Sequence, residues 1–184
     1  PPHLHAEDGI RDTSRGLVGS EMCIRDRWDP AKIEERHAKA EAAKAAMLEK
    51  SPAMQRYFDS AAGWVIIPTV GKGGIGIGGA RGEGLLYDGG GSILGEATMT
   101  QLTIGFQWGG QAYSQFMFFE NQAALDKFKQ GNYELGAQAS AVAVTAGASV
   151  DAGFINGVAI FTYAKGGLMY EASVGGQKFK VTLK

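Results

Sequence analysis

The stretch "WVIIPTVGKGGIGIGGARGEGLLYDGGG", residues 64–91, decides the fold. Its centre, "GKGGIG" at residues 71–76, matches the G-x-G-x-x-G pattern of dinucleotide sites and follows the strand-like "WVIIPTV". That chemistry needs the last glycine to open a helix whose N-terminus receives a pyrophosphate. Here the chain runs on as "IGGARGEGLLYDGGG", which cannot be helical. Nor is it a phosphate-binding P-loop, because Lys72 follows the first glycine and no Gly-Lys-Ser/Thr occurs. The stretch reads instead as glycine-lined strands packed closely against other backbone. Sixteen glycines between Gly63 and Gly110 extend that reading to the neighbouring segments.

Downstream the side-chain period is two. "QLTIGFQW" sets Leu102, Ile104, Phe106 and Trp108 on one side and Gln101, Thr103, Gly105 and Gln107 on the other, and "LMYEASV" alternates in the same way. The apolar set is the one expected to face the core. "QAYSQFMFF" and "FINGVAIFTY" are apolar on both faces and predict central strands. "QKFKVTLK" alternates with Phe179, Val181 and Leu183 inward and Lys178, Lys180 and Lys184 outward. Residues 136–153 consist almost wholly of small side chains, which fits a tightly packed strand or a shallow apolar pocket.

Three segments read as helices. "WDPAKIEERHAKAEAAKAAMLEK" begins with Asp29 as N-cap and Pro30 in the first turn, with a thin apolar stripe of Ile33, Ala40, Met47 and Leu48 and an i, i+4 pair of Glu35 and Lys39. "SPAMQRYFDSAAG" repeats the start signal with Ser51 and Pro52, and Gly63 is its expected stop. "NQAALDKFKQG" is capped by Asn121, turns Leu125 and Phe128 inward and ends at Gly131. The expected fold is α+β: two N-terminal helices, then a mostly antiparallel, strongly curved or barrel-like sheet with one inserted helix.

The first 27 residues have no structural period. "EMCIRD" and "AEDGIRD" back-translate, in the correct order, onto two parts of a sequencing-library adapter, so residues 6–27 are expected to be foreign sequence and residues 1–5 with them. The expected organisation is a non-native, disordered segment over 1–27, an N-terminal helix over 28–50 and a domain over 51–184. Setting 1–27 aside removes four arginines and five carboxylates from the 18 basic and 19 acidic residues, leaving fourteen of each. The only cysteine, Cys23, goes too, so no disulfide or thiolate nucleophile is expected in the remainder. A neutral chain lacks the basic footprint of a nucleic-acid binder, and no apolar run reaches the ~20 residues of a membrane-spanning helix.

No catalytic, metal or cofactor site is expected. G-x-S-x-G is absent, and His37, the one histidine after residue 27, sits on a solvated helix as a surface residue. Glu83, Asp88, Glu96, Glu120, Glu134 and Glu171 could supply a carboxylate pair, but their spacing selects none. The three lysines of the last strand could meet phosphate head groups, or could guard an exposed sheet edge.

"VIIPTVGKGGIGIGGARGEG", "TQLTIGFQWGGQAYSQFMFF", "GNYELGAQASAVAVTAGAS" and "AKGGLMYEASVGGQKF", four blocks in order over residues 54–179, resemble the SYLF domain family. The resemblance implies a non-enzymatic lipid-binding module. Eukaryotic members bind phosphoinositides, and some bind and bundle actin, often beside an SH3 domain. Bacterial members are usually stand-alone and often exported, and this chain looks like that type. Its first helix balances Lys32, Arg36, Lys39 and Lys44 against Glu34, Glu35, Glu41 and Glu49, and lacks the apolar face that membrane insertion requires. The expected activity is peripheral binding to anionic phospholipid or membrane surface, with Lys72, Arg81, Lys165, Lys178 and Lys180 as contacts. A protein-interaction role, with actin or an envelope protein as partner, is the alternative.

Overall fold

Glycine-rich strands with alternating side chains form a sheet only if their glycines let backbones approach and their apolar phase faces one core. A computed structural model of the protein describes residues 29–75, 77–104, 111–136, 140–143, 153–164, 172–173 and 176–184, with backbone alone for 72–75, 77, 103–104, 111, 140–143 and 172–173. Helix α1 (Pro30–Lys50) is followed by a 3-10 turn (Pro52–Met54) and a short α2 (Gln55–Ser60). Strands β1 (Gly63–Ile75), β2 (Ile77–Asp88), β3 (Ile93–Ile104) and β4 (Gln111–Phe119) follow. Helix α3 (Gln122–Lys129) then leads to β5 (Asn132–Glu134), β6 (Ser140–Ala143), β7 (Val158–Ala164), β8 (Ala172–Ser173) and β9 (Gln177–Leu183). Among the described residues the strand order is β5-β9-β3-β2-β1-β4-β7-β6-β8, antiparallel except for the parallel β6–β7 pair. The sheet is curled, and the fold is α+β as expected. Residues 31–184 form one compact unit.

The deciding stretch is a hairpin: β1 and β2 pair antiparallel from Gly63–Asp88 to Ile75–Ile77. Proline has no N–H to give the ladder and is confined to bulges and edges in sheets. Accordingly the register of β1 shifts at Pro68 against both β2 and β4, and the Ser114 hydroxyl donates to the Pro68 carbonyl at 2.8 Å. The shift changes the phase of β1, so Val65, Ile67 and Val70 all reach the same buried cluster. Opposite the bulge lies Gly84, where a Cβ would press on the Ile66 carbonyl oxygen and stand 2.8 Å from Ile67 Cα.

The inner face of the sheet packs Leu86, Ala97, Met99, Met117, Phe119, Ile160 and Phe179 with Leu125 and Phe128 of α3. The expected helix signals hold there: the Asn121 side chain accepts from the Ala124 N–H at 3.0 Å, and Gly131 takes φ 103° after the last turn. Phe128 lies 4.9 Å from Phe119 and 5.5 Å from Phe179, ring centre to ring centre.

The outer face is aromatic where the N-terminal helices cover it. Tyr57 and Phe58 of α2 meet Trp64, Phe118 and Phe161, with centroids 4.6–5.5 Å apart. Helix α1 buries Ile33, Ala40, Ala43 and Met47; Ala43 takes the place expected of Leu48. So thin a stripe is supplemented by polar anchors. Arg36 bonds both Glu83, at 2.6 Å, and Glu96, and the Lys44 ammonium stands 4.6 Å from the Phe58 ring centre. His37 is one of these anchors rather than a free surface residue, because its Nδ1 shares a 3.0 Å hydrogen bond with the Tyr87 hydroxyl.

Other expectations are corrected by local chemistry. Ser51 is buried and makes no side-chain cap, since the chain enters a 3-10 turn at Pro52. The second helix stops at Ser60, before Gly63, which opens β1 instead. "FINGVAIFTY" is not one strand: Asn156 and Gly157 both have positive φ and form a tight turn bridged by Ile155 and Val158.

Burial raises the pKa of Tyr113 to about 12, with a hydrogen bond from Gln177 acting in the opposite direction, and raises that of Tyr87 further still. Folding therefore disfavours both phenolates. The stability this provides is complete below the ordinary tyrosine pKa of about 10 and is lost as pH rises from there towards 12. Thermal melts from pH 8 to 11.5 are expected to fall mainly above pH ~10, and phenolate absorbance to appear together with unfolding.

Candidate functional site

The expected phase of "QLTIGFQW" is reversed in its described part. Gln101 is buried, while Leu102 is 83% exposed. Residues directly opposite across a sheet share a face. Gln101 follows Ala97 and Met99 on the core side, so Leu102 follows Glu96, Thr98 and Thr100 outward. Residues 105–110 lie outside the described residues.

On that outer face the pairing register builds a row across five strands: Gly71 of β1, Arg81 of β2, Thr100 of β3, Lys178 of β9 and Glu134 of β5. All five are exposed. A second row, one side-chain repeat away, sets Glu83 beside Thr98, Lys180 and Asn132. Arg81 Nη2 lies 3.3 Å from Glu83 and Lys178 Nζ lies 3.5 Å from Glu134, with the two cationic side chains 70% and 69% exposed. Exposed pairs of this kind contribute about 0–1 kcal/mol, so neither cation is held firmly. A cleft of about 440 Å³ lies here, and Arg81, Thr100, Leu102 and Lys178 are among its lining residues.

Three of the five expected contact residues thus come together: Arg81, Lys178 and Lys180. Lys72 is described by its backbone, opposite Ala80 and Gln111, and its side chain lies outside the described residues, as does Lys165 altogether. Strand β9 is not a sheet edge at Lys178–Lys180, because β5 pairs with it there. Guarding an exposed edge therefore does not explain those lysines. Of the candidate carboxylates, Glu83 and Glu96 converge, but on the Arg36 guanidinium that docks α1. No group of three or more His, Cys, Asp or Glu among the described residues is placed to hold a metal ion.

The Ysc84 family profile, described as "Las17-binding protein actin regulator", matches residues 100–182. Over these residues the chain is similar to the SYLF family. No curated protein matches the chain. The SYLF match runs from Thr100 to Thr182, taking in the end of β3, β4, α3 and all of β5 to β8, and most of β9. Thr100, Leu102, Lys178 and Lys180 lie within it; Arg81 and residues 54–99, on which the resemblance also rested, lie outside it. The preceding strands β1 and β2 nevertheless pair in one sheet with β4, which lies within the match, and with β3, whose end does.

Thr100 and Leu102 carry no charge and were missed as site residues. The signal was present in the strand phase: counting by twos from Ala97 and Met99 sends Gln101 in and Leu102 out.

Proposed function

We propose that the protein associates peripherally with anionic phospholipid surfaces through the outer face of β2, β3 and β9. The observation that carries this reading is the convergence of Arg81, Lys178 and Lys180, from strands far apart in sequence, on one exposed face. After residue 27 the chain carries equal numbers of acidic and basic residues, so attraction must come from this local grouping rather than from net charge. Each cation near an anionic surface contributes about 1 kcal/mol, and several must act together. Their pairs with Glu83 and Glu134 are exposed and readily exchanged for lipid phosphate. Among the described residues no helix is long and apolar enough to cross a membrane.

Co-sedimentation of the full chain with vesicles tests this. Binding to phosphatidylcholine containing a third of anionic lipid is expected to exceed binding to phosphatidylcholine alone by about tenfold in 50 mM salt, and to fall several-fold at 300 mM as screening shortens. Equal binding to both vesicles, or no response to salt, contradicts the proposal.

The family description as an actin regulator favours a second reading, in which the same charged face receives a protein. Capture of actin or an envelope protein in the absence of lipid, lost on charge reversal of Arg81 and Lys178, would support that reading over the first.

A further inference from the structure

We propose that the cleft on this face is a two-part site for a single phosphate-bearing amphiphile, with its phosphate on Arg81, Thr100 and Lys178 and its apolar chain against Leu102. The inference rests on the membrane reading and goes beyond it, since surface attraction alone needs neither Thr100 nor Leu102.

Arg81, Thr100 and Lys178 are direct neighbours across three strands. Strands are spaced about 4.8 Å apart, so the two cations flank the threonine with their Cα atoms about 10 Å apart, and their long side chains can close on one phosphate above the hydroxyl. The guanidinium offers two parallel N–H donors, the ammonium a compact charge and the threonine a neutral donor, which together suit a doubly charged phosphate ester. Both cations line one cleft, and their present partners, at 3.3 and 3.5 Å, are exposed carboxylates that a phosphate can displace.

Leu102 stands on the same face, one side-chain repeat beyond Thr100 and about 7 Å along the strand. It is the most exposed large apolar side chain among the described residues. Gly71, beyond Arg81 in the row, leaves open space where a side chain would narrow the cleft. A cleft with a divided cationic end and one bare leucine is complementary to a molecule that is ionic at one end and apolar at the other. A free sugar phosphate would leave the leucine in water, and a diffuse charged surface would not need the cleft.

The test compares vesicles of phosphatidylcholine with phosphatidic acid or with phosphatidylserine, adjusted to equal surface charge, and adds soluble glycerol 3-phosphate as competitor. The full chain is expected to bind the phosphatidic acid vesicles about tenfold more tightly, and glycerol 3-phosphate to compete only at millimolar concentration. Leu102→Ser is expected to weaken vesicle binding about fivefold or more while leaving glycerol 3-phosphate affinity unchanged. Equal binding to the two anionic vesicles with no effect of Leu102→Ser would overturn the two-part site and leave the membrane reading intact. Glycerol 3-phosphate bound as tightly as the vesicles would also overturn it, by assigning the cleft to a soluble phosphate ester. Failure to bind either anionic vesicle would remove both.

Discussion

Gly84→Ala is expected to cost about 3 kcal/mol or more, enough to leave much of the protein unfolded or insoluble at 37 °C. The reason is local and lies in backbone. At Pro68 the ladder of β1 slips, with Leu85 paired to Ile66 and Glu83 to Thr69, so Gly84 alone faces Ile67 and Pro68. A methyl group there would press on the Ile66 carbonyl oxygen and lie 2.8 Å from the Ile66 carbonyl carbon and from Ile67 Cα. None of these atoms belongs to a flexible side chain, so relief requires β1 and β2 to separate at the centre of the sheet. Gly71→Ala is the control, because its added Cβ meets nothing within 4 Å. Denaturant midpoints that drop for Gly84→Ala and stay within about 0.5 kcal/mol of wild type for Gly71→Ala would bear this out. A fully stable Gly84→Ala would show that the bulge does not need the close approach.

The second large effect is expected inside the curled sheet. Gln115 and Gln177 exchange two hydrogen bonds, 2.8 and 3.1 Å, and Gln177 also reaches Gln101 at 3.4 Å. All three side chains are buried. Strands β4 and β9 are separated by β1, β2 and β3 in the sheet, so the Gln115–Gln177 pair spans the interior and ties the sheet to itself. The Tyr113 hydroxyl joins the same layer through Gln177. Gln177→Leu removes the central member and takes both of these bonds from the buried Gln115 amide and one from Gln101, with an expected loss of about 2–4 kcal/mol. Replacing all three glutamines with leucine leaves no stranded amide and is expected to cost less than the single change. Measured stabilities in the order wild type, triple variant, single variant would support that reading. A single variant as stable as wild type would contradict it.

The sequence carried the fold class because two independent periods were strong. The helices α1 and α3 and the Asn121 cap of α3 survive, and so does the alternation of β9, where Gln177 and Phe179 point in and Lys178 and Lys180 point out. Polarity misled wherever the interior is polar. Gln101 looked like a surface residue because glutamine usually is one, yet its side-chain oxygen accepts from the buried Gln177 amide, which helps make its burial tolerable. That inversion hid Leu102 and, with it, half of the candidate site. His37 was misjudged for a similar reason: the Ala-Glu-Lys composition of α1 says it is solvated, but not that Tyr87 waits beneath it. Arg81 and Lys178 were expected on one contact surface, but the pairing that sets them on either side of Thr100 was not legible. It depends on β9 returning to pair with β3, a contact between residues more than seventy positions apart.

The most direct measurement is vesicle co-sedimentation of Arg81→Glu/Lys178→Glu beside the wild-type chain, with circular dichroism to confirm that both are folded. Both side chains are exposed and their own ion pairs are weak, so the fold should be unchanged. The expected result is a loss of about tenfold or more in affinity for anionic vesicles, with binding to neutral vesicles unaltered. A folded double variant that binds anionic vesicles as tightly as wild type would contradict the assignment of this face as the contact surface.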